Sequence, residues 1–96
     1  MKIISWNCNG AFRKKFSKIL DFDADIHVIQ ECEDPARTTD DEYKDWCNNY
    51  LWIGDSKNKG LGIFAKSNIK LEKLNWSNNF KDHSVKYFLP CSINDK

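Results

Sequence analysis

A chain of 96 residues with 41% hydrophobic and 14% aromatic side chains has the composition of a folded globular domain, not of a disordered or low-complexity segment. A domain of this size buries about 60–70% of the surface its unfolded chain exposes, so a large enclosed pocket is not expected. Fifteen basic and 14 acidic residues leave a formal charge of +1, which excludes a nucleic-acid footprint over the whole chain and confines any such contact to a local patch.

The apolar run at Ile3-Ile4 is too short for a signal-peptide core, and no small-residue cleavage pattern follows it. No stretch approaches the roughly 20 apolar residues that span a bilayer. Residence in the cytoplasm, without a membrane partner, is the expectation. Cys8, Cys32, Cys47 and Cys91 form no CxxC or CxxH pair, so they read as buried free thiols and not as a zinc site or a disulfide framework.

Taken in order, residues 2–7 suit a buried strand, which Asn9-Gly10 ends. From Ala11 to Leu20 the apolar residues Phe12, Phe16, Ile19 and Leu20 recur at helical spacing, predicting an amphipathic helix. Its outer face carries Arg13, Lys14, Lys15 and Lys18, read as the solvated side, with phosphate contact as the lesser alternative. After a polar connection over 21–25, Ile26–Gln30 is a second apolar strand. Strand, helix and strand form a βαβ unit whose strands run parallel, so Asn7 and Glu31 finish on one rim of the sheet. Ligands of open α/β sheets bind outside that rim.

Beyond Pro35, a short helix is predicted over 40–48, capped by Asp40 or Thr39, with Tyr43, Trp46 and Cys47 inward. Tyr50–Gly54 and Leu61–Lys66 read as a hairpin, joined by a polar loop that ends in Lys59-Gly60. Ile69, Leu71 and Leu74 suggest a further strand. Residues 75–84 read as a loop, and 85–93 as a last strand broken by Pro90. Asn94-Asp95-Lys96 is a turn signal with no strand after it, so 1–96 is expected to be a single partial domain, cut within its fold.

Three segments carry a resemblance. Ile3 through Gly10, containing Trp6-Asn7-Cys8-Asn9-Gly10, is similar to the opening strand of exonuclease III-like and apurinic-endonuclease-like enzymes of the endonuclease/exonuclease/phosphatase superfamily. Asp25 through Glu31 resembles that family's strand ending in a metal-binding glutamate. Lys59-Gly60-Leu61-Gly62-Ile63-Phe64 is a weaker match to the glycine-bearing strand that follows. Each segment alone is common in proteins; their order and their separation by one helix make the combination specific.

The resemblance implies an α/β fold, here the N-terminal portion of a truncated two-sheet α/β sandwich, a mixed sheet with flanking helices. The absent half would supply the second sheet. It also implies a metal-dependent phosphodiester hydrolase, of which this chain is the metal-binding half and is inactive alone. Glu31 would ligate a catalytic Mg²⁺ or Mn²⁺, which accords with the preference of hard cations for oxygen. Asn7 would orient Glu31 and the scissile phosphate, or ligate the metal through its side-chain oxygen. Asn9 stands where some relatives have an aspartate that contacts metal; the carboxamide favours one ion over two. The family's later His-Asp and Asp-Asn motifs are not found, and neither His27 nor His83 is assigned as base.

Nucleic acid is the expected substrate of the full-length protein, with a phosphatase of small phosphorylated metabolites or lipid headgroups as the enzymatic alternative. A third reading is a non-catalytic nucleic-acid-binding fragment that uses the basic helix and Trp76. The residues also permit plainer roles. Asn7 through Gly10 is by itself a strand-to-helix turn with Asn9 as cap. Glu33 and Asp34 read as a solvated acidic loop, His27 as structural, and Trp6, Trp46 and Trp52 as core. Apolar sheet surface left by the missing half would invite self-association.

Overall fold

The computed structural model describes residues 1–74, 79–80, 83–84, 89 and 91–95. Trp76 and the first part of the predicted last strand, 85–88, lie outside the described residues. Strand β1 (Ile3–Asn7) pairs in parallel with β2 (Ile26–Cys32), in the register Ile3↔Ile26 through Asn7↔Gln30. The hairpin of β3 (Tyr50–Ser56) and β4 (Lys59–Ala65) adds antiparallel strands on the other side of β2, giving the order β1-β2-β4-β3. The hairpin is tighter than expected: Ser56 pairs with Lys59, so only Lys57 and Asn58 form the turn.

The two faces of this mixed sheet are covered differently. One carries an aromatic core of Phe12, Phe16, Tyr43 and Phe64 with Ile29, Cys8, Cys32 and Cys47, and with Trp6, Trp46 and Trp52 packed at its border. Phe12 sits at its centre, with ring centroids 5.7 Å from both Tyr43 and Trp46 and 5.8 Å from Phe64. The other face, with Ile26, Val28, Ile63 and Leu61, is covered by Ile69, Leu71 and Ile93. These last come from β5 (Ile69–Lys73) and the strand Cys91–Asp95, which form a separate antiparallel two-stranded sheet. The chain is thus an α/β domain with a four-stranded mixed sheet and a second, smaller sheet.

Four expectations are corrected. First, no α-helix forms over Ala11–Leu20; two 3₁₀ segments, Phe12–Lys14 and Phe16–Phe22, take its place. Neither has a capping side chain at its own N-cap residue or an acidic residue in its first turn, and in the first segment the Arg13 N–H is taken instead by the distant Glu33 carboxylate. Lys15, at φ −121°, breaks the run between them, and its ammonium reaches back 2.7 Å to the Cys8 carbonyl. The tighter turn turns Leu20 and Phe22 outward, 44% and 58% exposed. Secondly, a second, two-stranded sheet forms within this chain itself.

Thirdly, the strand Cys91–Asp95 runs through the residues read as a turn, because Ile69 and Lys70 provide ladder partners for Asp95 and Asn94. Fourthly, the loop predicted over 75–84 contains the two-residue strands β6 (Asn79–Phe80) and β7 (His83–Ser84), paired with each other; in chain order Cys91–Asp95 is then β8. The short helix α1 (Asp41–Trp46) forms as the sequence predicts: Asp40 Oδ1 accepts from the Tyr43 N–H at 2.9 Å, and Tyr43 is buried beneath it.

Candidate functional site

The strand ends meet as the βαβ reading requires. Asn7 is the last residue of β1, and its partner in register is Gln30, the residue before Glu31. At Glu31 the ladder slips: Gln30 pairs with Leu61 and Cys32 with Gly60, leaving Glu31 as an extra, bulged residue. Its φ of 59° is left-handed, a conformation that costs a non-glycine residue of order 1–3 kcal/mol. The consequence is specific. His27 packs against Trp46, and Ile29 lies in the aromatic core, so unbroken alternation would send the Glu31 side chain into that core as well. The bulge lets Cys32, fully buried, take that place, and leaves the Glu31 side chain 33% exposed.

Breaking the ladder strands backbone carbonyls, and buried side chains satisfy them. The Cys8 thiol lies 3.2 Å from the Gln30 oxygen and 3.3 Å from the Glu31 oxygen. Trp52 Nε1 donates to the Cys32 oxygen at 3.1 Å, and the Tyr43 hydroxyl to the Glu33 oxygen at 2.8 Å. The Cys32 and Glu33 carbonyls each have a side-chain donor, while the single Cys8 S–H is shared between the Glu31 oxygen and the Gln30 oxygen, which also accepts from the Cys8 backbone N–H at 3.3 Å. Burial raises the pKa of the Cys8 thiol and pushes the Tyr43 hydroxyl up strongly, which keeps both protonated as donors.

The opposite lip is built by the turn after β1. The Asn7 Oδ1 accepts from the Asn9 N–H at 3.0 Å, and Asn9, Gly10 and Ala11 follow with φ of 60°, 84° and 53°. Asn and Gly take this region readily, so Asn9-Gly10 is used for its backbone. Asn9 does not cap the following segment with its side chain. Asn7 and Asn9 are both exposed.

Two nearby charges depart from the sequence reading. Glu33 is not part of a solvated loop: it is 4% exposed, accepts from the Arg13 backbone N–H, and holds Arg13 Nη1 at 2.7 Å. Asp34 likewise has local work, its Oδ1 accepting from the Ala36 N–H at 2.9 Å and its Oδ2 from Arg37 Nε at 2.7 Å. Lys59 approaches the candidate ligand itself, with Nζ 3.5 Å from Glu31 Oε1. Neither Glu33 nor Lys59 was singled out for the site by the sequence, because both partnerships join residues 20 or more apart and neither carries a local motif.

Among the described residues no group of three or more His, Cys, Asp or Glu side chains is placed to hold a metal ion. The donors at the rim are one partly exposed carboxylate and the carboxamides of Asn7 and Asn9. That oxygen-only set suits a hard divalent cation that keeps most of its water, and does not suit a closed structural site. His27 is remote from this chemistry in kind: it is 8% exposed, in edge contact with Trp46, and burial lowers its pKa. The four cysteines are free, three of them buried, and burial pushes Cys32 and Cys47 up to about 12. No helix among the described residues is long and apolar enough to cross a membrane. Comparison with models of known families, with curated proteins and with solved structures returns no match.

Proposed function

We propose that this chain is the metal-binding part of a metal-dependent phosphodiester hydrolase acting on nucleic acid. The observation that supports it most is the juxtaposition of Asn7 and Glu31 at the ends of two parallel strands, with Glu31 turned out of the core by a left-handed bulge. Strained non-glycine backbone held by a dense set of buried donors is a feature of functional sites. In this reading Glu31 and the Asn7 carboxamide would hold one Mg²⁺ or Mn²⁺, with Asn9 as a further oxygen donor. The ion, when bound, supplies charge stabilisation at a phosphoryl oxygen.

Glu31 presents its carboxylate at a solvent-reachable rim, and the Cys8, Trp52 and Tyr43 contacts prevent that rim from relaxing. His27, in edge contact with Trp46 on a separate cleft that Asp23, Ala24 and Lys66 also line, is not assigned to water activation. Calorimetric titration with Mg²⁺ and Mn²⁺ tests the reading: binding that disappears in Glu31→Gln supports it, and equal binding by both proteins removes it.

A non-catalytic nucleic-acid-binding role is the second reading, and the cluster of Arg13, Arg37, Lys57 and Lys59 around one cleft favours it. Salt-sensitive oligonucleotide binding that is indifferent to both Mg²⁺ and Glu31→Gln would select it.

A further inference from the structure

A cleft of about 440 Å³ is lined by Arg13, Glu33, Arg37, Lys57, Asn58 and Lys59, and Lys59 links it to Glu31. Its cations come from three separate parts of the chain: the 3₁₀ segment Phe12–Lys14, the loop after β2 and the β3–β4 hairpin. The Asp34 N–H donates to the Lys57 carbonyl at 2.8 Å, fastening the last two together. The four cations differ in how they are engaged. Arg13 is tied to buried Glu33, and Arg37 uses Nε on Asp34 while its guanidinium lies 5.7 Å over the Trp52 ring. Among the described residues Lys57 has no carboxylate partner, and Lys59 has Glu31 alone, at 3.5 Å with its own side chain 61% exposed. An exposed pair of that length is weak and readily exchanged.

We propose that this cleft is a phosphate-binding site gated by Lys59. While Glu31 carries no divalent cation, the Lys59 ammonium is its counter-ion. A cation on Glu31 displaces that ammonium into the cleft, where Lys59 joins Lys57 and Arg37 in holding a phosphate group of a nucleic-acid strand. The guanidinium, already stacked on Trp52, presents a fixed fork, and the two lysines supply mobile point charges. Metal and phosphate thus bind with positive coupling, each favouring the state in which Lys59 has left Glu31. The proposal rests on the assignment of Glu31 as a metal ligand.

The test is Mg²⁺ titration of the wild type, Lys59→Met, Lys59→Arg and Lys14→Met, each alone and with a short single-stranded oligonucleotide, and with inorganic phosphate in a parallel arm. Without anion, Lys59→Met is expected to bind Mg²⁺ about two- to fivefold more tightly, since it removes an exposed competitor. Lys59→Arg and Lys14→Met, which respectively keep the charge in place and remove one on the exposed 3₁₀ surface, are expected to stay near the wild type. Mg²⁺ is expected to tighten oligonucleotide binding by the wild type and not by Lys59→Met. Tightening with inorganic phosphate but not the oligonucleotide would assign the cleft to free phosphate and overturn the strand assignment.

The proposal is overturned if Lys59→Met leaves Mg²⁺ affinity unchanged or weaker, or if Mg²⁺ does not strengthen anion binding by the wild type. Glu31-dependent Mg²⁺ binding with no effect at Lys59 defeats the gate alone, whereas no Mg²⁺ binding by the wild type defeats the metal assignment with it.

Discussion

The Cys8 thiol lies 3.3 Å from the carbonyl oxygen of Glu31, so the end of β1 holds the backbone of the candidate metal ligand in place on β2. The same thiol reaches the Gln30 oxygen, and the Cys8 backbone N–H donates to that oxygen at 3.3 Å. Cys8 therefore couples the two segments whose convergence defines the site. Cys8→Ala removes a buried sulfur and leaves the Glu31 carbonyl without its donor, and is expected to cost about 1–2 kcal/mol. Urea denaturation measures the loss, and a midpoint equal to the wild type would show that the contact contributes nothing.

Glu33 is engaged by both the backbone N–H and the guanidinium of Arg13. Glu33→Gln breaks the ion pair with Arg13 while keeping an oxygen for the Arg13 backbone N–H. The expected loss is about 1–3 kcal/mol, moderated because the Arg13 side chain is 37% exposed and can rehydrate. Mg²⁺ affinity should be unchanged at temperatures where the variant is folded; a parallel loss of metal binding would place Glu33 in the metal's shell.

Gly62 is required by contact. A Cβ there would lie 2.6 Å from the Phe64 ring and 2.8 Å from Cys32 Sγ, the residue that occupies the core in place of Glu31. Gly62→Ala is expected to destabilise by about 1–3 kcal/mol through overpacking. A thermal melt at or above the wild-type midpoint would show that the core can absorb the methyl.

Burial, reinforced by the Lys66 charge, lowers the pKa of His27 from its ordinary 6.5. The unfolded chain then binds a proton that the folded chain does not, and stability is full above about pH 6.5 and falls as pH drops from there through the lower folded-state value. Urea midpoints between about pH 7.5 and 5 should show this slope, and His27→Gln should flatten it. A wild-type midpoint that rises on acidification over that range would contradict the assignment.

Much of this architecture is legible in local patterns. The β1 and β2 strands, their parallel pairing, the β3–β4 hairpin and the Asp40 cap all follow from alternation, turn residues and capping chemistry confined to a few neighbouring positions. So does the placing of Asn7 and Glu31 on one rim. The failures have a common cause. Phe12, Phe16, Ile19 and Leu20 have the spacing of an α-helix, but Lys15 is drawn to the Cys8 carbonyl and the segment tightens into 3₁₀ turns. The bulge at Glu31 depends on Cys8, Tyr43 and Trp52, which are distant in the chain and meet only in the folded core. Glu33 looked solvated because nothing within a few residues of it foretells Arg13.

The central claim is that Glu31, set out of the core by its bulge, binds a hard divalent cation together with Asn7. The most direct measurement is a Mg²⁺ titration of the ¹⁵N-labelled chain followed through its amide resonances, with Glu31→Gln as control. The account predicts saturable shifts centred on Asn7 to Gly10 and on Glu31 and Cys32, absent from the variant. Shifts that persist in Glu31→Gln, or that centre elsewhere in the chain, would contradict it.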